Sequence, residues 1–294
     1  MLIWPPTSRE AFRSGHRMIV SMGLGVVAQQ GNERAQALAA EMRSSLGESG
    51  IDVKLDRVTA DALGRSGEPV SAFEDCEIVA SIGGDGTFLF VARSVGETPI
   101  VGVNLGEVGF LNAVAPSEAT KVVGAAYKDA RAGTLETQTL PRVVASGTDW
   151  SIGPALNEII LHAPQRGVGE PLSITIEVDG DQYSSDLVDG IMVSTPTGST
   201  AYNLSEGGPL LTPEVSGLVI TEMSGRDSMP PLVVPLEAVV EIDVEGPDHW
   251  IAICDGRSRK QVETPDSVSV QRGGPSVRVA GPPVAFFDAL EKLS

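Results

Sequence analysis

Several residue types are scarce in this chain of 294 residues, and each shortage argues against a class of protein. Only two cysteines occur, Cys76 and Cys254, and they form no CxxC pair, which argues against a disulfide framework or a zinc site. The three histidines are scattered and show no metal-ligand spacing. No apolar run reaches the ~18 residues of a membrane helix, and residues 1–17 do not resemble a signal peptide. We therefore expect a cytoplasmic protein with buried free thiols and a flexible tail over residues 1–17.

Positive charge is also scarce, because 21 Lys and Arg residues face 39 Asp and Glu residues, a formal net charge of −18. The lysines are Lys54, Lys121, Lys128, Lys260 and Lys292. Such a balance repels nucleic acid and anionic membranes, so we expect neither as a partner. The acidic, lysine-poor surface predicts a protein that works in high salt, where self-repulsion is screened, although simple solubility would also explain it.

Aromatic residues make up only 4% of the chain, so a core must consist mainly of Val, Ile, Leu and Ala. In the first half, apolar runs that predict strands alternate with helical spacing. Strands are predicted at 18–28, 51–55, 77–82 and 99–103, and helices at 32–46, from about 87, and at 116–131. This βαβ order predicts an α/β domain with a doubly wound parallel sheet over residues 18–136.

The pattern changes near residue 137, where short runs separated by Pro and Gly begin. The predicted strands are 155–161, 172–178, 190–194, 239–244, 250–254, 268–271 and 277–280. They indicate an antiparallel, β-rich second domain over residues 137–275. Helical spacing returns at 284–293, and we expect the segment 276–294 to pack back onto the first domain.

The sequence Gly83-Gly84-Asp85-Gly86-Thr87 follows a predicted strand and opens a predicted helix. Glycines allow the backbone to approach a ligand closely, and the N–H groups at a helix start attract phosphates. Asp85 would be repelled by phosphates unless it takes a proton or holds a cation. Phosphoryl transfer to an alcohol needs such a carboxylate, either as the base or to fix Mg²⁺. A plain Gly/Asp turn is the alternative interpretation.

Two further stretches carry polar or aromatic side chains at strand ends. Residues 102–111 follow the fourth strand and contain Asn104 and Phe110, and ligands gather at the carboxyl ends of parallel strands. Phe110 is interpreted either as a base-stacking residue or as a core residue. Asn157-Glu158 begins a strand, and a carboxylate beside an amide suits a ribose diol, although a surface Glu is the alternative.

Residues 189–205 form the densest signal, since Asp189 and a strand precede a long run of hydroxyl side chains and turn formers. Such a loop offers many donors and acceptors, which suits a neutral polar ligand such as a nucleoside. Residues 23–28 match a GxGxxA dinucleotide pattern, but valines continue a strand there instead of opening a helix. Neither a GxxxxGK[ST] loop nor a GxSxG elbow occurs.

Together these motifs resemble the NAD kinase family. The matching stretches are GGDGTFLF at 83–90, GVNLGEVGFL at 102–111, LNEIIL at 156–161, DGIMVSTPTGSTAYNLSEGGP at 189–209 and FFDALEKL at 286–293. GGDGT is shared with lipid kinases and phosphofructokinase-like enzymes, whereas TPTGSTAY is far more specific. The resemblance covers most of the chain from Met18 onward.

The resemblance implies phosphorylation of the 2′-hydroxyl of the adenosine ribose of NAD by ATP with Mg²⁺, in a dimer or tetramer. Asp85 is then similar to the family's general base. The implied NAD contacts are Asp85, Gly86, Phe110, Asn157, Glu158, Asp189, Thr197, Thr200, Ala201, Tyr202 and Ser205. The implied ATP phosphate contacts are Gly83, Gly84, Gly86, Thr87 and Asn104, with Mg²⁺ held largely through the phosphates.

Three departures from the family pattern remove basic or polar groups near the expected substrate. Leu187-Val188 stands where an Arg-Gly or Lys-Gly pair is common, and Glu107 stands where an Arg is common. Residues 221–230 lack the family's Pro-Ile-Cys-Pro-His segment. Two alternatives therefore remain at this point: a kinase of another alcohol, either a lipid or a sugar, and a non-catalytic nucleotide-binding protein.

Overall fold

The computed structural model describes residues 22–106, 109–165, 170–225 and 228–291. The predicted tail over 1–17, Glu107, and the end of the closing helix beyond residue 291 lie outside these ranges. Within them, none of the helices combines the length and the apolar character needed to cross a bilayer.

The first half of the chain folds as alternating strands and helices. The strands are β1 (Leu24–Ala28), β2 (Val53–Leu55), β3 (Ile78–Ile82), β4 (Ile100–Val103) and β5 (Thr137–Leu140), and the helices are α1 (Glu33–Glu48), α2 (Arg57–Ala62), α3 (Asp85–Ala92) and α4 (Ala119–Ala132). Asn32 caps α1 by accepting hydrogen bonds from the backbone N–H groups of Arg34 and Ala35, as its position before the apolar stripe predicts.

The second half consists almost entirely of strands. They are β6 (Val143–Ser146), β7 (Ser151–Ala155), β8 (Glu158–His162), β9 (Leu172–Val178), β10 (Asp181–Val188), β11 (Gly190–Ser194), β12 (Gly217–Met223), β13 (Leu232–Pro235), β14 (Val240–Glu245), β15 (His249–Cys254), β16 (Ser258–Glu263), β17 (Asp266–Arg272) and β18 (Val277–Ala280). Two short helices are α5 (Tyr202–Ser205) and α6 (Phe286–Leu290).

The first sheet has the strand order β2-β1-β3-β4-β18-β5, and all neighbours are parallel except β18 and β5. Alternate residues of β1 point to opposite faces, so Leu24 and Val26 pack with α1 and α4, whereas Val27 packs with Phe88 of α3. Helices therefore cover both faces, which confirms the predicted doubly wound α/β domain.

The second domain is a sandwich of two antiparallel sheets, β10-β9-β14-β17-β6-β7 and β13-β12-β11-β8-β15-β16. Side chains from both sheets form one apolar cluster, in which Ile176 and Ile242 of the first sheet join Leu161 and Val193 of the second. The alternation of buried and exposed residues along β14 is the period expected for one covered face. The β-rich second domain is thus as predicted.

The chain passes between the two domains twice, at neighbouring points. Leaving the first sheet after β5, it crosses at Arg142, whose carbonyl accepts a hydrogen bond from the returning Gly273 N–H at 2.9 Å. The return segment then inserts β18 between β4 and β5 and ends in α6, so the closing segment packs on the first domain as expected. The sequence assigns residues 137–140 to the second domain, whereas the structure pairs them with β18 in the first sheet. Since β5 pairs with β18 in the antiparallel direction, the sequence pattern of antiparallel strands begins at residue 137, before the chain leaves the first domain.

Both cysteines are buried and free. Burial raises the pKa of the Cys76 thiol to about 11 and that of the Cys254 thiol to about 12, so both stay protonated near neutral pH. Residues 23–28 contain strand β1, and the glycines there serve packing. A Cβ on Gly25 would lie 2.7 Å from the Phe73 ring.

Candidate active site

The site forms where β3 and β4 end side by side in the parallel sheet. Ile82 pairs with Val103, and the Gly83 N–H donates to the Val103 carbonyl at 2.9 Å, so the loops after both strands begin at one edge. Asp85 is the first residue of α3, and Gly84 precedes the helix with an extended backbone. The structure thus brings residues 83–87 together with residues 102–106 and 109–111, as strand-end geometry predicts.

The carboxylate of Asp85 is held by three N–H donors from the neighbouring loop. Its Oδ2 accepts from the Phe110 N–H at 2.9 Å, and its Oδ1 accepts from the Leu111 N–H at 3.2 Å and from Asn112 Nδ2 at 2.9 Å. Gly109 makes this approach possible, because a Cβ there would lie 2.1 Å from Oδ1. Asp85 is half-buried, so this loop does not enclose the residue completely.

The start of α3 has the features of a phosphate cradle. N–H groups in the first turn of an α-helix have no partner within the helix, and the dipole there favours anions. Gly84 and Gly86 are exposed, and an added Cβ at either position would meet no atom within 4 Å. Gly83, in contrast, packs tightly, since a Cβ there would lie 2.5 Å from Thr87 Oγ1. Asn104 turns the adjacent loop by accepting the Gly106 N–H at 3.1 Å.

Asn157 and Glu158 lie at the point where the second domain meets α3. The preceding Leu156 belongs to the same apolar cluster as Phe88 of α3 and Leu111 of the Asp85 loop. Asn157 Oδ1 is buried and makes no hydrogen bond within the described ranges. A buried acceptor without a partner requires an explanation, and contact with a ligand is one.

Glu158 is only 4% exposed, so the alternative interpretation of a surface Glu is wrong. Burial, with the nearby Asp255 carboxylate adding to it and Arg93 opposing it, raises the pKa of Glu158 to about 8. Its Oε2 has no hydrogen-bond partner in the described part of the chain. Near neutral pH this side chain is therefore mainly a protonated acid that can donate one hydrogen bond.

The hydroxyl-rich run after β11 divides into a structural and an accessible set. Thr195, Ser199 and Asn203 are fully buried and bond internally, for example Ser199 Oγ to the Pro196 carbonyl at 2.7 Å. Thr197 and Thr200 are half-buried and line a cavity of about 60 Å³ together with Phe110. The sequence treats the run as one binding loop, whereas only part of it faces this cavity.

The remaining predicted contacts lie along β11 and α5. Tyr202 packs against an apolar cluster that includes Ile160 and Met192, on the outer face of the β11 sheet, and Ala201 and Ser205 flank it in sequence. Asp189 lies at the opposite end of β11 from Thr195, about 20 Å along the strand at ~3.4 Å per residue. Within one chain, the structure does not bring Asp189 to the Asp85 cluster.

Several residues of the site lie outside every motif that the sequence analysis connects with function. Asp255 bonds to the backbone around Asn157, Arg93 bonds to Asp255, and Asn112 bonds to Asp85. Phe286 of α6 packs on Phe110 with ring centroids 5.7 Å apart. The Asp255-Gly256 pair is a turn signal, and nothing in the sequence connects it to a segment almost a hundred residues earlier.

Comparison with known proteins gives a consistent result over both domains. Residues 13–130 match the family model of the ATP-NAD kinase N-terminal domain, and residues 156–280 match that of the ATP-NAD kinase C-terminal domain. A NAD kinase of Halorubrum lacusprofundi is 49% identical over 275 residues, covering 93% of this chain and 100% of the relative. A NAD kinase of Halobacterium salinarum is 49% identical over 281 residues, with 92% and 100% coverage.

Two solved structures share the fold at lower identity. Yeast NADH kinase, crystallised with NADH, has a TM-score of 0.79 at 21% identity and covers 93% of this chain and 87% of that one. A NAD kinase of Archaeoglobus fulgidus in complex with ATP has a TM-score of 0.71 at 24% identity, with 92% and 98% coverage. These likenesses concern the architecture of both domains.

Proposed function

The chain belongs to the NAD kinase family, and we propose that it transfers the γ-phosphoryl group of ATP to the 2′-hydroxyl of the adenosine ribose of NAD, giving NADP. The observation that carries the proposal is the position of Asp85, a fixed carboxylate at the start of a helix that can bind phosphates. Membership of the family rests on matches that span both domains.

Asp85 is the proposed general base. A carboxylate offers roughly four lone-pair sites, and the described donors use three of them: two on Oδ1 and one on Oδ2. The remaining site on Oδ2 would accept the ribose hydroxyl proton as the hydroxyl oxygen attacks the γ-phosphorus. ADP then leaves with the electron pair of the broken P–O bond. The three N–H donors keep the carboxylate in one orientation, so the step requires no rearrangement of the base.

The other proposed contacts follow from position. Gly84, Gly86, Thr87 and Asn104 lie around the start of α3 and suit the phosphates of ATP. Gly83, also predicted as a phosphate contact, uses its N–H for Val103, so its proposed role is the close packing of this turn. Asn157, with its unpartnered Oδ1, and the protonated Glu158 suit hydroxyl and amide groups of NAD. Phe110 suits a base, and Thr197 and Thr200 line the same cavity, with Thr200 assigned to the nicotinamide half by the family resemblance. Asp189, Ala201, Tyr202 and Ser205 are proposed contacts to the nicotinamide half, on the strength of the family resemblance.

Magnesium is proposed to enter with ATP. Among the described residues no cluster of three or more Asp, Glu, His or Cys side chains could hold a metal ion, and Asp85 has one lone-pair site left. ATP phosphates would therefore supply most of its ligands, and bound Mg²⁺ would neutralise charge on the phosphoryl groups. The family resemblance also predicts a dimer or tetramer, which light scattering after gel filtration would measure.

The test is NADP formation by purified protein, with Asp85→Asn as the variant and Asp61→Asn, an exposed change on α2, as the control. We expect Asp85→Asn to lower kcat ~10²–10⁴-fold, the usual contribution of a general base. Because an asparagine amide would face the Asn112 and backbone donors, calorimetric binding of ATP and of NAD to the variant is measured alongside. Retained binding with near wild-type turnover would remove Asp85 from the mechanism, and absence of NADP with the unmutated protein would reject the function itself.

A further inference from the structure

Asp255 organises the segment that carries Asn157 and Glu158. Its carboxylate accepts hydrogen bonds from three consecutive backbone N–H groups, those of Leu156 at 3.1 Å, Asn157 at 2.7 Å and Glu158 at 3.3 Å. Asp255 is 7% exposed and has a positive φ of 46°, a conformation that asparagine and aspartate tolerate better than most residues. Three charge-assisted bonds from one carboxylate fix the position of this segment relative to β15.

Arg93 reaches Asp255 from the other domain. It lies directly after α3, the helix that begins at Asp85, and donates from Nη2 to the Asp255 carbonyl at 3.2 Å. Its Nε lies 3.7 Å from Asp255 Oδ2, and the Asp255 side chain in this ion pair is 1% exposed. Because a helix of eight residues is about 12 Å long and stiff, a constraint on its last turn is transmitted to its first residue.

A second arginine holds the same end of the helix. Arg142, which is 4% exposed and lies at the crossing between the domains, donates from Nη2 to the Ala92 carbonyl. Burial lowers the pKa of Arg142, and the nearby Asp255 carboxylate offsets part of that shift. The two arginines and Asp255 therefore interact electrostatically in one buried region. Replacing Arg93 therefore leaves α3 attached to the rest of the protein while removing its direct tie to the Asn157 segment.

From these contacts we infer that Arg93 and Asp255 are positioning residues that set the acceptor-binding segment at Asn157 and Glu158 against the base at Asp85. The inference rests on the proposed function, because its main measurement is phosphoryl transfer. Arg93 fixes the position of the Asn157 segment relative to Asp85, and it lies at the far end of α3 from Asp85, outside the proposed nucleotide contacts. Its loss should therefore lower kcat while each nucleotide alone still binds with nearly unchanged affinity.

The first experiment compares the wild type, Arg93→Ala, Arg93→Lys and the control Arg131→Ala, an exposed position on α4. Misplacement of reacting groups by about 1 Å costs on the order of 10²-fold in rate, so we expect kcat of Arg93→Ala to fall roughly 10- to 100-fold. The dissociation constants of NAD and ATP, measured separately by calorimetry, should change less than about threefold, since Arg93 lies outside the proposed nucleotide contacts. Arg93→Lys should recover part of kcat, because it keeps the charge but not the two-point contact.

A double-mutant cycle tests whether the two residues act through each other. Asp255→Asn keeps the side-chain shape and removes the charge, so Arg93→Ala should cost much less kcat in that background than in the wild type. Losses that multiply, or an Arg93→Ala variant with a lowered melting temperature but kcat within twofold of wild type, would overturn the inference and leave a purely structural ion pair.

Amide hydrogen exchange tests the positioning role of Arg93 independently of whether the protein forms NADP. The Leu156, Asn157 and Glu158 amides should exchange faster in Arg93→Ala than in Arg131→Ala, whether or not the protein makes NADP. Unchanged protection of these three amides would overturn the inference even if the unmutated protein is active. An unmutated protein that forms no NADP would instead reject the proposed function, while the exchange comparison still decides the tie between the domains.

Discussion

Replacing Glu158 by glutamine removes a carboxyl group whose pKa the fold raises from 4.5 to about 8. Burial is the largest cause, the Asp255 carboxylate adds to it, and Arg93 opposes it. The folded protein therefore keeps a proton that the unfolded chain releases between these two pH values. The free energy of unfolding must then fall as pH rises from about 4.5 to about 8, and level off above that. At ~1.4 kcal/mol per pH unit, the contribution is on the order of 5 kcal/mol.

Glutamine has the shape of the protonated acid and does not titrate. Titration alone should thus leave Glu158→Gln close to the wild type near pH 5 and more stable by several kcal/mol at pH 9. Because Glu158 Oε2 has no partner among the described residues, the new amide adds a cost of about 1–3 kcal/mol that does not vary with pH. The quantity to measure is therefore how the difference in unfolding free energy between Glu158→Gln and the wild type changes with pH.

The assay is urea unfolding of both proteins from pH 5 to pH 9 at fixed ionic strength. Glu241→Gln, an exposed change on β14, serves as the matched control, because it makes the same replacement outside the buried cluster. A salt series adds a second check, because screening acts weakly on a buried carboxyl group. Parallel stability curves for the wild type and Glu158→Gln would show that this carboxyl group titrates normally, and the explanation by burial would be wrong.

Further predictions follow from packing and charge. Gly109→Ala places a methyl group 2.1 Å from Asp85 Oδ1, so NADP formation should fall on the order of 10²-fold, whereas Gly106→Ala, with open space around it, should stay within about threefold; equal activity would contradict the proposed geometry. Gly198→Ala places a methyl group 2.1 Å from the Asn157 carbonyl, and urea unfolding should show a loss of about 1–3 kcal/mol. With a net charge of −18, the melting temperature should rise as KCl approaches molar concentration, and a steady fall would refute the salt hypothesis.

The fold is predictable from sequence where an apolar pattern coincides with a single element. The predicted strands at 172–178, 190–194 and 277–280 coincide with β9, β11 and β18, because turn residues bound each run. By contrast, the sequence pattern does not predict β10 and β16. Both are edge strands with many polar residues, and buried and exposed residues do not alternate regularly along them. Their hydrogen bonds depend on the neighbouring strand, which a local pattern does not contain.

In the candidate site, too, only the residues that form a contiguous motif can be predicted from the sequence. The Asp85 loop is recognisable because the strand, the glycines and the helix that carry it are contiguous in the chain. Asp255 escapes detection because its partners are distant. Arg93 precedes it by 162 residues, and the Asn157 N–H that it binds precedes it by 98. The raised pKa of Glu158 also cannot be predicted from the sequence, because its largest cause is burial in the folded protein.

The hydroxyl-rich run after β11 shows how a strong motif combines two roles. Asn203 is fully buried, accepts the Thr221 hydroxyl at 2.8 Å and donates to the Pro209 carbonyl at 3.1 Å, so it fixes the loop. Thr197 and Thr200 leave their side chains partly exposed beside Phe110, at the cavity. Residues of the first kind lose stability when replaced, because a buried polar group is left unpaired. Under the proposed function, we therefore expect changes in nucleotide preference to come from the second kind, because those side chains can be replaced without leaving a buried polar group unpaired.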